Sequence, residues 1–367
     1  MQILYYFRKY DSVMYNWQIE NIVDEMLHHN CNIDVFNPLL YDNLDTANEK
    51  LIEHISKHKY DIFMTCHNEE VLYLSTLNEI KKRGIPTLLF CPDNLLAPFN
   101  HEKIASLFDL VWLTSKETKY LFDKWGCNTV FLPYAANPYL YIPDYSMNSL
   151  NALGFIGTPH GTRMDHINTL VDAGVRVVVH TSISNLQQPI VATSANSYIK
   201  AFKNYLRYPI GRKLLVASII DKSKKRSFHM DNPNLKIEEP VPFSEMSRYS
   251  CAYDAMLSFT DARSTGVLRH PVSIINLRHF ELPMSGALQF TTYSDELAGY
   301  FKEDKEIILC RDSNEYVEKA KYWLQDKNAT KRKQMKVAAR LRAEKEHTWY
   351  NRFKVIFDIL NLKEATW

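Results

Sequence analysis

Two segments carry the residue types that can hold a phosphorylated ligand. In GFIGTPHGTR, residues 154–163, an apolar run ends in the turn Gly157-Thr158-Pro159-His160-Gly161, and a helix then begins. Free backbone N–H groups at a helix start attract phosphate, and Arg163 would add charge and a fork of donors. The pattern also fits an ordinary glycine turn before a helix. In NLRHFELPMSGALQF, residues 276–290, a helix carrying Arg278 and Glu281 stops just before Ser285, Gly286 and an apolar strand. A carboxylate at that place can accept both hydroxyls of a ribose, and the small residues permit close backbone approach. Equally, Glu281 is a surface acid on a plain helix. Nearer the start, His67 and Asn68 follow one apolar run and Asp93 follows the next. His67 can orient or deprotonate a ligand hydroxyl there, or it caps a helix or faces solvent. Asp93, in Pro92-Asp93-Asn94, lines the same site or caps a turn.

Parallel sheets wrapped by helices would position these residues. Short apolar runs at 3–7, 33–36, 61–65, 87–91, 110–114 and 129–132 alternate with helical patterns such as 16–29 and 115–125, the signature of a Rossmann-like α/β domain. A Pro-, Tyr- and Asn-rich stretch from 133 to 148 reads as a linker. The alternation restarts with a strand at 153–156, a helix at 162–173 and a strand at 175–180, breaks between about 182 and 233, and resumes with strands at 235–237, 255–259, 287–291 and 306–309. The expected division is one Rossmann-like domain over 1–148, a second over 149–345 and a closing helix over 346–367. Two such domains place the carboxyl ends of two sheets across one cleft, where ligands bind.

Composition excludes several classes. The chain has 367 residues, 46% hydrophobic and 23% charged, with 44 Lys+Arg against 42 Asp+Glu, so it is neither a disordered chain nor a nucleic-acid coat. The absence of a long apolar window and of a signal-peptide pattern predicts a cytoplasmic protein. The six cysteines lack metal or redox spacing, and most sit beside apolar runs and read as buried thiols. With no DxD pair after a strand end, metal-independent chemistry is expected. Where the alternation breaks, residues 198–226 mix an aromatic stripe (Tyr198, Ile199, Phe202, Tyr205 and Leu206) with lysines and arginines. The segment is either a helix packed on its own domain or a surface for an anionic membrane or a lipid-linked acceptor.

The runs RGIPTLLFCPDN, FDLVWLTSKETKYLFDKWGCNTVFLPYAANPYLY, GFIGTPHGTR, VRVVVH and LRHFELPMSGALQFTTYSDELAGYF, with EHTWYNRF near the end, resemble in order and spacing the GT-B glycosyltransferases of the group 1 type, and within them the CgeB-like branch. The resemblance implies two Rossmann-like domains, an acceptor domain over 1–148 and a nucleotide-sugar domain over 149–345, and a retaining transfer of a sugar from a nucleotide-sugar donor to a glycan or lipid-linked acceptor. It implies that Glu281 binds the ribose and that the turn with Gly157, Thr158, His160 and Arg163 faces the diphosphate. The sequence departs from the wider group at Ser273, eight residues before Glu281, where many members carry a glutamate. A departing diphosphate and an oxocarbenium-like sugar need charge stabilisation, for which Arg163 and Arg278 are the best-placed cations. Two other readings share the doubled architecture: a sugar-nucleotide epimerase, and a sugar-binding protein without transfer.

Overall fold

Each apolar run expected before residue 132 forms a strand: β1 (Gln2–Tyr6), β2 (Asn32–Phe36), β3 (Ile62–Thr65), β4 (Thr87–Cys91), β5 (Leu110–Leu113) and β6 (Thr129–Phe131). In this computed structural model, described for residues 1–147, 149–182, 195–224 and 226–362, they pair in parallel in the order β2-β1-β3-β4-β5-β6. β3, β4 and β5 are buried along their whole length. A strand covered by helices on both faces reads as an unbroken apolar run, which made these legible. The helices between them are α1 (Val13–Gln18), α2 (Asp24–Leu27), α3 (Leu44–Lys57), α4 (Leu74–Lys82) and α5 (Lys119–Lys124).

The helix expected over 16–29 is interrupted. Residues Ile19–Val23 form a π turn between α1 and α2, and the Asp24 N–H donates to the Ile19 carbonyl. The buried Asn21 is the local cause. Its side-chain amide donates to the Trp17 carbonyl at 3.1 Å, taking the acceptor an α-helical ladder would use and widening that turn.

The second sheet comprises β7 (Leu153–Ile156), β8 (Val177–His180), β9 (Leu235–Glu238), β10 (Ala255–Ser258), β11 (Gln289–Thr292) and β12 (Ile307–Cys310), all parallel, in the order β12-β11-β10-β7-β8-β9. Its helices are α6 (Arg163–Asp172), α7 (Ala195–Leu206), α8 (Pro209–Lys222), α9 (Met246–Ala252), α10 (Arg278–Met284), α11 (Asp295–Tyr300), α12 (Ser313–Trp323) and α13 (Ala329–Glu346). One face buries Phe155, Val177, Leu257 and Phe290 against Ile167, Leu170, Tyr316 and Trp323. The other buries Val178 and Met256 with Tyr253 and Leu282.

Two units follow from the packing: Met1–Leu140 with Thr348–Trp367, and Tyr141–His347. The chain therefore changes unit at 140/141, ahead of the expected 148, because the second unit holds the residues after 140. The Arg340 guanidinium donates to the Tyr141 carbonyl at 2.6 Å, and the Tyr141 hydroxyl donates to Glu281 at 2.7 Å. The last helix, α14 (Trp349–Ile359), belongs to the first unit. Its first N–H groups, on Trp349 and Tyr350, donate to the buried Glu25 carboxylate at 3.2 and 2.7 Å. Arg352 donates to the Pro133 and Tyr134 carbonyls, and the fully buried Trp349 ring packs with Trp17, Trp112 and Phe90. The Glu25 carboxylate thus satisfies two of the orphan donors that a helix start leaves.

Candidate functional site

Ligands of open parallel sheets bind outside the carboxyl ends of the strands, where the strand order reverses. In the second unit that point lies between β7 and β10, and the loops there carry the turn 157–161 and the segment 259–267. Gly157 takes φ +145° and Gly161 φ +60°. A side chain at Gly161 would be strained in φ and would press on the Arg263 carbonyl at 3.1 Å. Two donors hold the Thr158 carbonyl: the His160 N–H at 3.0 Å and Arg163 Nη1 at 3.1 Å. Behind the turn, Thr162 is the N-cap of α6; its side chain makes no capping bond and its buried hydroxyl has no partner. The turn thus brings the start of α6 and Arg163 together, donors suited to phosphate oxygens, while the Thr162 hydroxyl is enclosed against Gly266.

The structure brings Arg278 to the same place. Burial depresses the Arg163 guanidinium, Asp261 offsets part of this, and Arg278 adds to it as a like charge. Desolvation, then Arg163 and Arg263, bring His160 down to about 4, so it is neutral near pH 7. On α10, Arg278 Nη1 lies 3.2 Å from Glu281 Oε2, while Glu281 Oε1 accepts the Tyr141 hydroxyl. Glu281 is 7% exposed, so it is not a free surface acid. Each carboxylate oxygen keeps a second lone pair for a ligand hydroxyl.

Ser285 and Gly286 pack against the chain itself. Gly286 has φ +74°, and a Cβ there would run into the Tyr145 hydroxyl and Pro143. Ser285 is buried, its hydroxyl accepts from Ser247, and its carbonyl accepts from the Cys251 thiol. Gly286 thus makes room for the chain's own Pro143 and Tyr145.

Two residues of this group were overlooked in the sequence. His279 is fully buried; its Nδ1 accepts the Asn276 N–H at 3.2 Å, and its Nε2 has no partner. Burial dominates in bringing it down to about 3, and Arg163 and Arg278 lower it further, so it is a neutral ring with an unused N–H. Asp261 follows β10, pairs with Ser273 across an isolated antiparallel bridge, and sits 3.5 Å from His166 Nε2. The acid in SFTDARSTG after an apolar run was the available signal. A cavity of about 480 Å³ opens at the carboxyl ends of β8 and β9, lined by His180, Glu238, Pro240, Pro242 and Tyr249. His180 Nδ1 donates to the Glu239 carbonyl, and its Nε2 accepts the Tyr253 hydroxyl at 2.6 Å.

In the first unit the strand order reverses between β1 and β3, and His67 lies there. Its Nε2 accepts the Arg8 N–H at 3.0 Å, and burial, followed by Arg8 and His101, brings it down to about 3. The neutral ring then carries its proton on Nδ1, so His67 can donate to a ligand but has no free nitrogen for a base. Asp93 has φ +55°; its N–H donates to the Tyr134 hydroxyl, which donates back to its carboxylate at 2.9 Å, and its carbonyl accepts from Leu96 and Ala97. Its backbone shapes a turn, and its carboxylate is held by Tyr134. The buried Asn94 beside it ties that turn to Thr114, Ser115 and Thr118.

Among the described residues no group of three or more His, Cys, Asp or Glu could hold a metal ion, and no helix is long and apolar enough to cross a membrane.

Residues 210–358 match a family model described as glycosyl transferase-like, a span that contains Arg278, His279 and Glu281 but not the turn 157–161. No curated protein matches the chain. Several solved structures share its fold. Sucrose-phosphate synthase from Thermosynechococcus elongatus superposes with TM-score 0.54 at 11% identity, over 98% of this chain and 99% of that one. HepE from Anabaena in complex with UDP-glucose gives TM-score 0.56 at 11% identity, over 98% and 99%. A glycosyltransferase from Rickettsia africae gives 0.58 at 12% identity, over 99% of both. The architecture of two Rossmann-like units, each with a six-stranded parallel sheet, is that of the GT-B glycosyltransferases.

Proposed function

We propose that the chain is a retaining glycosyltransferase of the group 1, CgeB-like type, moving a hexose or related sugar from a nucleoside diphosphate donor to a hydroxyl of a glycan or lipid-linked acceptor. The observation that carries this reading is the convergence of Arg163, Arg278, His279 and Glu281 at the carboxyl edge of the second sheet, beside the open start of α6. The glycosyl transferase-like match over α8 to α14 and the UDP-glucose held by HepE support it.

In this reading Glu281 accepts from the ribose hydroxyls, and the α6 start with Arg163 and Arg278 binds the diphosphate. Transfer breaks the bond from the anomeric carbon to the diphosphate oxygen, which leaves with the electron pair, and forms the bond to the acceptor oxygen. The acceptor's proton passes to the departing phosphate, since His67 Nε2 is already engaged by the Arg8 N–H. The cations stabilise charge that grows as the bond breaks, where electrostatic catalysis acts most strongly. No cofactor or metal is assigned; the nucleotide sugar is a substrate.

A second reading, sugar binding without transfer, is favoured by Ser273, whose backbone pairs with that of Asp261. Incubation with a panel of nucleotide sugars and glycan or lipid-linked acceptors separates them. Free nucleoside diphosphate that appears only with acceptor supports transfer. Saturable binding without turnover supports the second reading, and an epimerised donor overturns both.

A further inference from the structure

The hairpin of α7 and α8 interrupts the second unit's alternation and displays apolar side chains outward. On α7, Ile199, Phe202 and Leu206 fall at i, i+3 and i+7, one stripe of a helix. On α8, Val216, Ile219 and Ile220 form a second stripe. All six are between 38% and 71% exposed. Each apolar residue of the α7 stripe is followed by a cation, Lys200, Lys203 and Arg207, so a basic edge runs beside the apolar one. Arg212 and Lys213 precede the α8 stripe by about one turn, and Lys222 ends the helix. The only acid from 195 to 222 is Asp221, which Arg226 and Ser264 engage. Lys225 and the Tyr198 side chain lie outside the described residues.

The inner side of the hairpin is fixed to the candidate site. Leu214 and Ala217 are buried on α8, and Gly211 lets the helix press against the Tyr205 carbonyl and Tyr208 ring. Arg212 donates to the Leu206 carbonyl, closing the turn between the helices. Tyr205 accepts from Arg263 at 2.8 Å, and the Arg263 carbonyl lies under Gly161 of the phosphate turn. The outward face is therefore carried on a rigid base joined to that turn.

We propose that this face lies on an anionic lipid bilayer. A helix face with bulky apolar residues edged by Lys and Arg sits in the interface plane, its apolar side chains in the headgroup region and its cations near lipid phosphates. Charge selects this occupant. A second copy of the chain would set the same cations against each other, whereas an anionic surface attracts the exposed Lys203, Lys213 and Lys222 together. The contact holds the phosphate turn beside the membrane, the position required for a lipid-linked acceptor.

The test is flotation of the full chain with vesicles of phosphatidylcholine alone or with about 30% phosphatidylglycerol, at about 0.1 M and about 1 M salt, where the screening length falls from roughly 10 to 3 Å. The wild type should float with anionic vesicles only and be released by salt. Lys203→Ser/Lys213→Ser/Lys222→Ser should lower the partition coefficient roughly a hundredfold, about fivefold per charge. Phe202→Ser/Ile219→Ser should abolish flotation. All these side chains are exposed, and unchanged melting temperatures and far-UV dichroism confirm the variants fold. No flotation of the wild type, equal flotation with neutral vesicles, or variants that float like the wild type overturns the proposal. So does a dimer by light scattering that Phe202→Ser/Ile219→Ser dissociates, which would assign the face to a second copy.

Discussion

Glu25 should make the docking of the last helix depend on pH. Its carboxyl is fully buried and receives the Trp349 and Tyr350 N–H groups at the start of α14. Burial raises it from 4.5 to about 7, although the N–H groups of Tyr350 and Trp349, the Thr348 hydroxyl and Arg352 pull the other way. A raised carboxyl means that the docked state holds a proton the opened state releases between about pH 4.5 and 7. Docking is therefore strongest below that window and weakens as pH rises through it. At 1.36 kcal/mol per unit, the loss is about 3 kcal/mol, roughly a hundredfold in the opening equilibrium. Hydrogen exchange at the Trp349 and Tyr350 amides reads that equilibrium locally, which suits a chain of two units better than a global melt. Protection factors in the wild type should fall about a hundredfold from pH 5 to pH 8, while Glu25→Gln should show a flat profile whatever its absolute level. Parallel profiles in the two proteins would refute the reasoning, because the titrating group would then lie elsewhere.

The site yields further expectations. Glu281→Ala should weaken the best-binding nucleoside diphosphate by about 1 to 3 kcal/mol in calorimetry. Glu281→Gln, which keeps an acceptor for Tyr141, should lose less, and unchanged affinity in folded Glu281→Ala removes the ribose assignment. Arg163→Ala and Arg278→Ala should lower turnover at saturating donor, whereas a change confined to the donor KM would make them uniform binding residues. His279→Phe removes an unpartnered buried N–H but also the acceptor of the Asn276 N–H, so the melting temperature of the free protein should change little; a large fall would show that the ring is needed for packing. Replacing His67 by Asn should leave the shape of the pH–rate profile unchanged, and loss of a titrating limb would restore His67 as a base.

The strand and helix alternation is a local property. Apolar runs such as TLLFC and VVVH must be covered on both faces, and no distant contact is needed to see this. That is why the twelve strands, the start of α6 and the position of α10 were legible, and with them the region of Arg163, Arg278 and Glu281. The π turn at 19–23 was not, because it depends on where the Asn21 amide donates. Long-range packing decided the rest. Tyr141 meets Glu281 across 140 residues, Glu25 meets α14 across more than 300, and Gly286 is small for the sake of Tyr145. A glycine reads the same in sequence whether a ligand or the chain's own backbone approaches it. A histidine likewise reads as a base until the N–H occupying its nitrogen is known, as Arg8 does for His67. Residue type sets what chemistry is possible; which lone pairs and protons stay free is set only when distant segments pack together.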